Sequence, residues 1–395
     1  MNNTIMTNSL SKRQAAVTAV FCGLLMIFLG ASDALRGVFL PIFKNEFSLS
    51  KFQSSMIIMV SYIGNLLFLF IGGYIIDRVN RKKFIAAVML MWMCALAVYV
   101  FTSSYVILLI FMIFSMGAST MLSTTVNIIT PMCFASAAFF INFFSFMQGI
   151  GISGAQNIGG RFADISGSWH TINLVLLIGA LLCLVLLIFV KIPQSYNNSE
   201  NRGSYLSVIK NPAFIYLILL CGFYYISEHG LQNWLVTYGS EYLGFTISRS
   251  AFFLSMFFGG ITVGRLIFAP LVQKFGIMKS LSIYISAACI LYTVGILLER
   301  TGIILVCISG LAFSIIWPTF VLLIGKYYPP SQSGIATGFI TGISTVFDIA
   351  FNAFFGKVVE AAGFGISIKI LPLSMLLFCA FFFLLKFRVK NQNVI

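Results

Sequence analysis

Six ionisable side chains lie inside long apolar stretches of this sequence: Asp33, Arg36, Glu228, His229, Arg265 and Asp348. An ionised group at membrane depth is costly unless it faces a polar cavity or a partner. Asp33 and Arg36 stand three residues apart and share one helical face. Two readings are open for them: an ion pair that fixes helix packing, or a site that handles a solute or a coupling ion. A carboxylate that moves between a desolvated and a charged environment changes its proton affinity. Asp33 therefore suits proton coupling, with Arg36 as its modulator. Glu228 is either an acceptor for solute hydroxyls or a second coupling residue. Arg265 reads chiefly as a packing and ion-pair residue near a helix end. Asp348 and Asn352 are four apart and either line a cavity or partner Arg265. His229 carries little weight alone, because an isolated histidine is commonly a satisfied hydrogen-bonding residue.

Neutral amides beside aromatic rings indicate what such a site could carry. Sugars present hydroxyls to Asn and Gln, and apolar ring faces to Trp and Tyr. Asn65, Asn127, Gln148, Gln156, Asn157, Gln232, Asn233, Trp234, Trp317 and Asn352 suffice for such a site. The alternative is that buried amides hold helices together. With 42 Phe and 15 Tyr, no single aromatic is informative by itself.

The elements that must position these residues are membrane helices. Of 395 residues, 59% are hydrophobic and 9% charged, and the mean hydropathy is +1.01. A soluble domain is about 25% charged. The net charge of +14 is scattered at the ends of apolar runs, which fits a topology bias rather than a nucleic-acid patch. The eight cysteines lie in or beside apolar runs without close pairing, as buried thiols do. Two histidines and dispersed cysteines offer no metal cluster or nucleophile, so no metal, cofactor or embedded enzyme is expected. An ATP-driven pump is disfavoured because no Gly-x-x-x-x-Gly-Lys-Ser/Thr loop occurs. The first apolar run is too long for a signal peptide and lacks a small-residue cleavage pattern.

Twelve spans are expected, at 15–43, 52–76, 84–102, 105–130, 136–163, 171–190, 212–239, 251–273, 280–298, 302–326, 333–357 and 366–386. The longest polar break, 191–211, reads as a cytoplasmic linker between six-helix bundles at 1–190 and 212–395. With the N-terminus inside, fifteen Lys and Arg fall on the cytoplasmic side and seven on the other. That asymmetry puts both termini inside.

After the second span comes Gly73-Tyr-Ile-Ile-Asp77-Arg78-Val-Asn80-Arg81-Lys82-Lys83. The pattern resembles the loop signature of the major facilitator superfamily, with Asn80 where a glycine usually precedes the second Arg. A degenerate copy, Ala269-Pro-Leu-Val-Gln273-Lys274-Phe-Gly276-Ile-Met-Lys279, stands at the matching place in the second half. Two copies between corresponding helices are what a duplicated fold predicts. The resemblance implies an all-α polytopic protein with twelve transmembrane helices in two pseudo-symmetric halves. It also makes Gly73, Asp77, Arg78, Arg81 and Arg265 residues of conformational change.

Shorter motifs resemble the fucose–galactose–glucose–proton symporter family. They are Asp33 with the following Leu-Pro-Ile-Phe, Asn127 in the fourth span with a polar position in the fifth (Asn142, Ser145 or Gln148), Tyr225 to Trp234 in the seventh, and Trp317-Pro318-Thr319 in the tenth. The fucose-type proteins carry a second carboxylate in the fourth helix, where this chain has Ser123, which cannot titrate. The resemblance implies a secondary transporter moving a small polar solute, a sugar, by alternating access. Asp33 and Glu228 would couple protons. Arg36, Asn127, Gln148, Asn233, Trp234, Trp317, Asp348 and Asn352 would bind solute. The expected surroundings are a bacterial cytoplasmic (inner) membrane, with solute, protons and lipid bilayer as partners, no nucleic acid, and a monomeric chain. The alternatives are a drug or metabolite exporter, an organic-anion carrier using Arg36, and a transporter-derived solute sensor.

Overall fold

A computed structural model describes residues 11–76, 79–165, 167–193 and 205–392. Helix boundaries follow local chemistry. α1 (Lys12–Glu46) begins at a capping box, in which the Ser11 hydroxyl accepts from the Gln14 N–H and the Gln14 side chain accepts from the Ser11 N–H. Ser50 and Gln53 repeat the device at the start of α2 (Lys51–Ile75). Asn80 caps α3 (Arg81–Phe101), its Oδ1 accepting from the Lys83 N–H at 3.1 Å. So where the loop signature usually has glycine, this chain has a helix cap. The second-half copy keeps its glycine for a reason: Gly276 joins α9 (Ile247–Phe275) to α10 (Ile277–Leu297) at φ +77.

α4 (Tyr105–Cys133), α5 (Ala137–Arg161) and α6 (Ser168–Phe189) complete the first half. The second half continues from α8 (Phe214–Glu241) and ends in α13 (Pro330–Ala362), α14 (Phe364–Ser367) and α15 (Ile370–Gln392). Of the expected linker 191–211, residues 194–204 lie outside the described residues; the single turn α7 (Tyr205–Ile209) follows them. The tenth span, expected unbroken over 302–326, divides into α11 (Glu299–Phe313) and α12 (Ile316–Tyr327). Pro318 is the cause. It has no N–H to give the Ser314 carbonyl, and its ring crowds that same group.

Among the described residues, eleven helical stretches are long and apolar enough to cross a bilayer, the α11–α12 pair counting as one. α5, with 25 residues, is about 38 Å long at 1.5 Å per residue and also reaches across. The chain is a multi-pass membrane protein. Isoleucine, leucine and phenylalanine remain exposed on the outer helix faces, as at Ile178, Ile188 and Leu322, where lipid takes the place of a packed neighbour. Within the first half α1 packs on α5, α2 on α4 and α3 on α6. The halves meet along α1–α8, α2–α13 and α5–α9.

Those meetings are tight at the end carrying the α1–α2 turn. A methyl on Gly37 would overlap the Gln232 carbonyl, one on Gly160 the Ala251 side chain, and one on Gly356 the Lys51 carbonyl. Small residues allow such approach between membrane helices. Charge reinforces it: Glu241 pairs with both Lys44 (2.9 Å) and Lys51. The Phe52 N–H donates to Glu360 at 3.0 Å, and Lys357 lies 4.6 Å from the Phe52 ring centroid.

Candidate functional site

The three interfaces leave a cavity of about 390 Å³ between the halves. From the first half, α2 contributes Tyr62 and Asn65, α4 contributes Thr120 and Ser123, and α5 contributes Gln148. From the second half, α8 contributes Tyr224, Tyr225, Glu228 and His229, α9 Arg265, α12 Trp317, and α13 Thr345 and Asp348. Serine stands in the wall where the fucose-type pattern has a carboxylate. Polar groups set among large aromatic rings suit a hydroxylated solute, and the volume falls in the usual range of about 300–1,000 Å³.

Arg36 does not pair with Asp33. Its guanidinium is buried, and each of its three nitrogens is engaged elsewhere: Nε donates to Asn233 Oδ1, and the two terminal nitrogens donate to Ser61 Oγ and Tyr62 OH, each at 3.0 Å. The group also lies 4.5 Å from the Tyr62 ring centroid. Asn233 Nδ2 donates to the same Tyr62 oxygen at 3.0 Å. Arg36 therefore ties α1, α2 and α8 together across the interface, and Asn233, wholly buried, belongs to that hub rather than to the cavity wall. Asp33 keeps one buried oxygen, Oδ1, without a hydrogen-bond partner. Ser119, Arg36 and His229 are the polar side chains around it. A buried acceptor left unpaired is expensive.

His229 and Asp348 come together across 119 residues of sequence, with Nδ1 2.8 Å from Asp348 Oδ2. The ring stacks between Tyr62 of the first half, at 5.6 Å, and Tyr225, at 4.7 Å. Asp348 is fully buried, and its Oδ1 has no partner. Glu228 faces the cavity beside Tyr224 and Arg265. Arg265 lines the cavity and, among the described residues, makes no ion pair with Asp348 or Glu228.

The remaining expected residues are dispersed. Gln148 and Trp317 line the cavity, the latter stacked on Tyr224 and 5.5 Å from Tyr225. Trp234 and Asn352 are both fully buried, with indole Nε1 donating to Asn352 Oδ1 at 2.9 Å. Asn352 also donates to the Asp348 carbonyl at 2.9 Å. They brace α8 against α13 and do not line the cavity. Asn127 is exposed on α4, outside the cavity wall. Gly73 falls in the last turn of α2, while Asp77 and Arg78 lie outside the described residues. Arg81 is buried at the start of α3, with Met132 Sδ at 3.1 Å and the Pro193 carbonyl at 3.3 Å among its partners. Tyr62 is absent from the sequence-based expectations, and His229 was given little weight there. No local spacing joins them to Arg36 or Asp348.

A multi-helix membrane bundle with a polar cavity between two halves has the frame of a solute transporter. The chain belongs to the Major Facilitator Superfamily, whose family model matches residues 22–347. No curated protein matches the sequence. Among solved structures it is similar to a D-xylose–proton symporter, with a TM-score of 0.78 at 15% identity over 94% of this chain and 97% of that one. It is also similar to a bacterial homologue of the human lysosomal transporter Spinster in an inward-facing, unoccupied conformation (0.75, 16%, 95% and 96%). The E. coli fucose–proton symporter is a third (0.67, 18%, 92% and 97%). At these identities the likeness is one of fold.

Proposed function

We propose that this protein moves a small polar solute, a sugar, across the cytoplasmic membrane with proton coupling, by alternating access between halves 1–190 and 212–395. The observation that carries the reading is the cavity itself. It is walled by both halves and mixes amide, hydroxyl and carboxylate groups with Trp317 and three tyrosines; Asp33 does not line it, but its carboxyl interacts with the cavity residue His229. Asp33 and Glu228 are the carboxylates assigned to the proton. Gln148 and Trp317 are assigned to the solute, an amide for hydroxyls and an indole for a ring face. Arg36 is assigned to holding the halves together around the site, because each of its nitrogens already donates to Asn233, Ser61 or Tyr62.

Arrangement of charge supports the conformational part. The ion pairs and glycine contacts between halves seal the end of the α1–α2 turn. With the basic loops inside, that end is extracellular and the cavity belongs to an inward-facing state. Breaking the Glu241 pairs and separating Gly37 from Gln232 would open the other side.

Labelled hexoses and pentoses offered to proteoliposomes, with and without an imposed pH gradient, test this. Accumulation of a sugar that depends on the gradient is expected. Expulsion of a cationic dye with no sugar accumulated would replace the reading with that of an exporter.

A further inference from the structure

The cavity holds one titratable pair that the assignments above do not use. We propose that His229, held by Asp348, is the group at which proton and solute meet: Nδ1–H is fixed on Asp348, and Nε2 faces the cavity as the atom that binds both. The inference deepens the transport reading and rests on it.

The geometry gives the two ring nitrogens different tasks. Nδ1 is 2.8 Å from Asp348 Oδ2. A carboxylate accepts, so Nδ1 carries hydrogen in either charge state, and the neutral ring has its lone pair on Nε2. Among the described residues Nε2 has no hydrogen-bond partner, and the side chain stays 26% exposed in a wall of the cavity. Ring orientation is not left to chance, because Tyr225 and Tyr62 stack on the two sides. When neutral, Nε2 accepts from a solute hydroxyl; when protonated, it donates to a solute oxygen. Proton binding therefore changes which solute atom the site accepts.

Asp348 makes that proton consequential. Its carboxylate is fully buried and one oxygen has no partner. A buried carboxylate is tolerated as an anion only with a charge beside it, and among the described residues His229 is the one that pairs with it. Gaining or losing one proton on the ring moves the pair between net zero and net minus one. The proton comes from water on the acidic side and returns to water on the other. Other charges facing the ring decide how the change is felt. Arg36 and Asp33 act from α1, the neutral phenol of Tyr62 from α2, and Glu228 from the same helix. Arg265 of α9 lines the same cavity. Tyr62 matters most for transmission, since it stacks on His229 and also accepts from Arg36 and Asn233 at the interface of the halves. A charge appearing on the ring is thereby presented directly to the hub that joins α1, α2 and α8.

The sequence makes a direct measurement simple, because His170 is the only other histidine. Full-length protein labelled with ¹³C,¹⁵N-histidine in lipid nanodiscs gives two ring systems, and His170→Gln assigns them. The expected result is an Nδ1–H tautomer for neutral His229 and a change in its charge across the interval of pH over which the protein stays folded, with Asp348→Asn altering the tautomer. An Nε2–H tautomer, or a ring that keeps one charge state across that interval, overturns the proposal whether or not any sugar is transported. In proteoliposomes loaded with whichever panel sugar the wild type accumulates, His229→Gln keeps a neutral hydrogen-bonding group but cannot take a proton. Because Nε2 also contacts the solute, the variant is expected to show weakened counterflow with a raised solute KM, to lose gradient-driven accumulation and to flatten the pH profile of the counterflow that remains. His170→Gln is expected to keep all three. If the wild type accumulates sugar and His229→Gln accumulates it equally, the transport reading stands and this inference falls. If the wild type accumulates none of the panel, the sugar reading falls and the ring measurement decides the inference alone.

Discussion

Replacing Gly37 by alanine should push the protein out of the conformation described. The new Cβ would stand 2.2 Å from the carbonyl oxygen of Gln232 and 3.1 Å from the Cα of Asn233. Both obstacles are backbone of α8, so no side chain can swing away, and α1 must retreat by about 1 Å to reach ordinary contact. Overpacking of this kind costs about 1–3 kcal/mol. That strain exists only while the halves are closed at the α1–α2 end, so it favours the alternative state by about 5- to 150-fold. Spin labels at Asn45 and Lys369, both exposed on opposite halves at that end, would report it after removal of the exposed Cys94 and half-buried Cys379. The distance distribution should gain a longer component. Gly151→Ala is the matched control: its Cβ would strike the Ile27 carbonyl, a contact inside the first half, so melting temperature falls while the distribution holds. Gly154→Ala, with nothing within 4 Å, should change neither. A Gly37→Ala protein that is folded and keeps the original distribution would refute the argument that this contact is a seal.

Three further outcomes are expected. Asp33→Asn removes the titratable group and keeps its shape, so gradient-driven accumulation should disappear while counterflow survives; unchanged accumulation would remove Asp33 from the coupling path. Glu241→Gln breaks two partly exposed ion pairs across the seal, each worth about 0.2–1 kcal/mol, so the Asn45–Lys369 distances should lengthen less than in Gly37→Ala, and 1 M salt should mimic the change in the wild type. Trp234→Phe loses the indole bond to Asn352 and leaves a buried amide oxygen unpaired, costing about 1–3 kcal/mol; a lower melting temperature with an unchanged solute KM is expected, and a raised KM alone would return Trp234 to the cavity wall.

The architecture was legible because a bilayer permits few alternatives. A crossing helix needs about 20 apolar residues, and the runs beginning near Ala15, Phe52 and Phe214 declare themselves by length. Pro318 could have announced the break at Ser314, since a proline opposes the carbonyl four residues earlier in any helix. The site was legible only in part. Asp33, Glu228 and Asp348 stood out because charge is rare in such runs, whereas their partners are set by tertiary packing. Arg36 sits one helical turn from Asp33 yet spends its donors on Asn233, 197 residues away, and on Ser61 and Tyr62. His229 was undervalued because its partner is 119 residues distant. Asn233 and Trp234, adjacent in sequence to a cavity helix face, point instead into the α1–α2 hub and toward α13. An amide in an apolar run signals a hydrogen bond, not which partner receives it.

Solute-driven proton movement is the most direct test of coupled transport. Proteoliposomes with no imposed gradient, loaded with a pH-sensitive dye, receive the sugar selected by the uptake panel on the outside. Inward sugar flow coupled to protons predicts acidification of the lumen that depends on the sugar and is abolished in Asp33→Asn, while counterflow in that variant persists. Sugar entry without any change in lumenal pH would contradict proton coupling, and with it the roles given to Asp33 and to the polar groups around it.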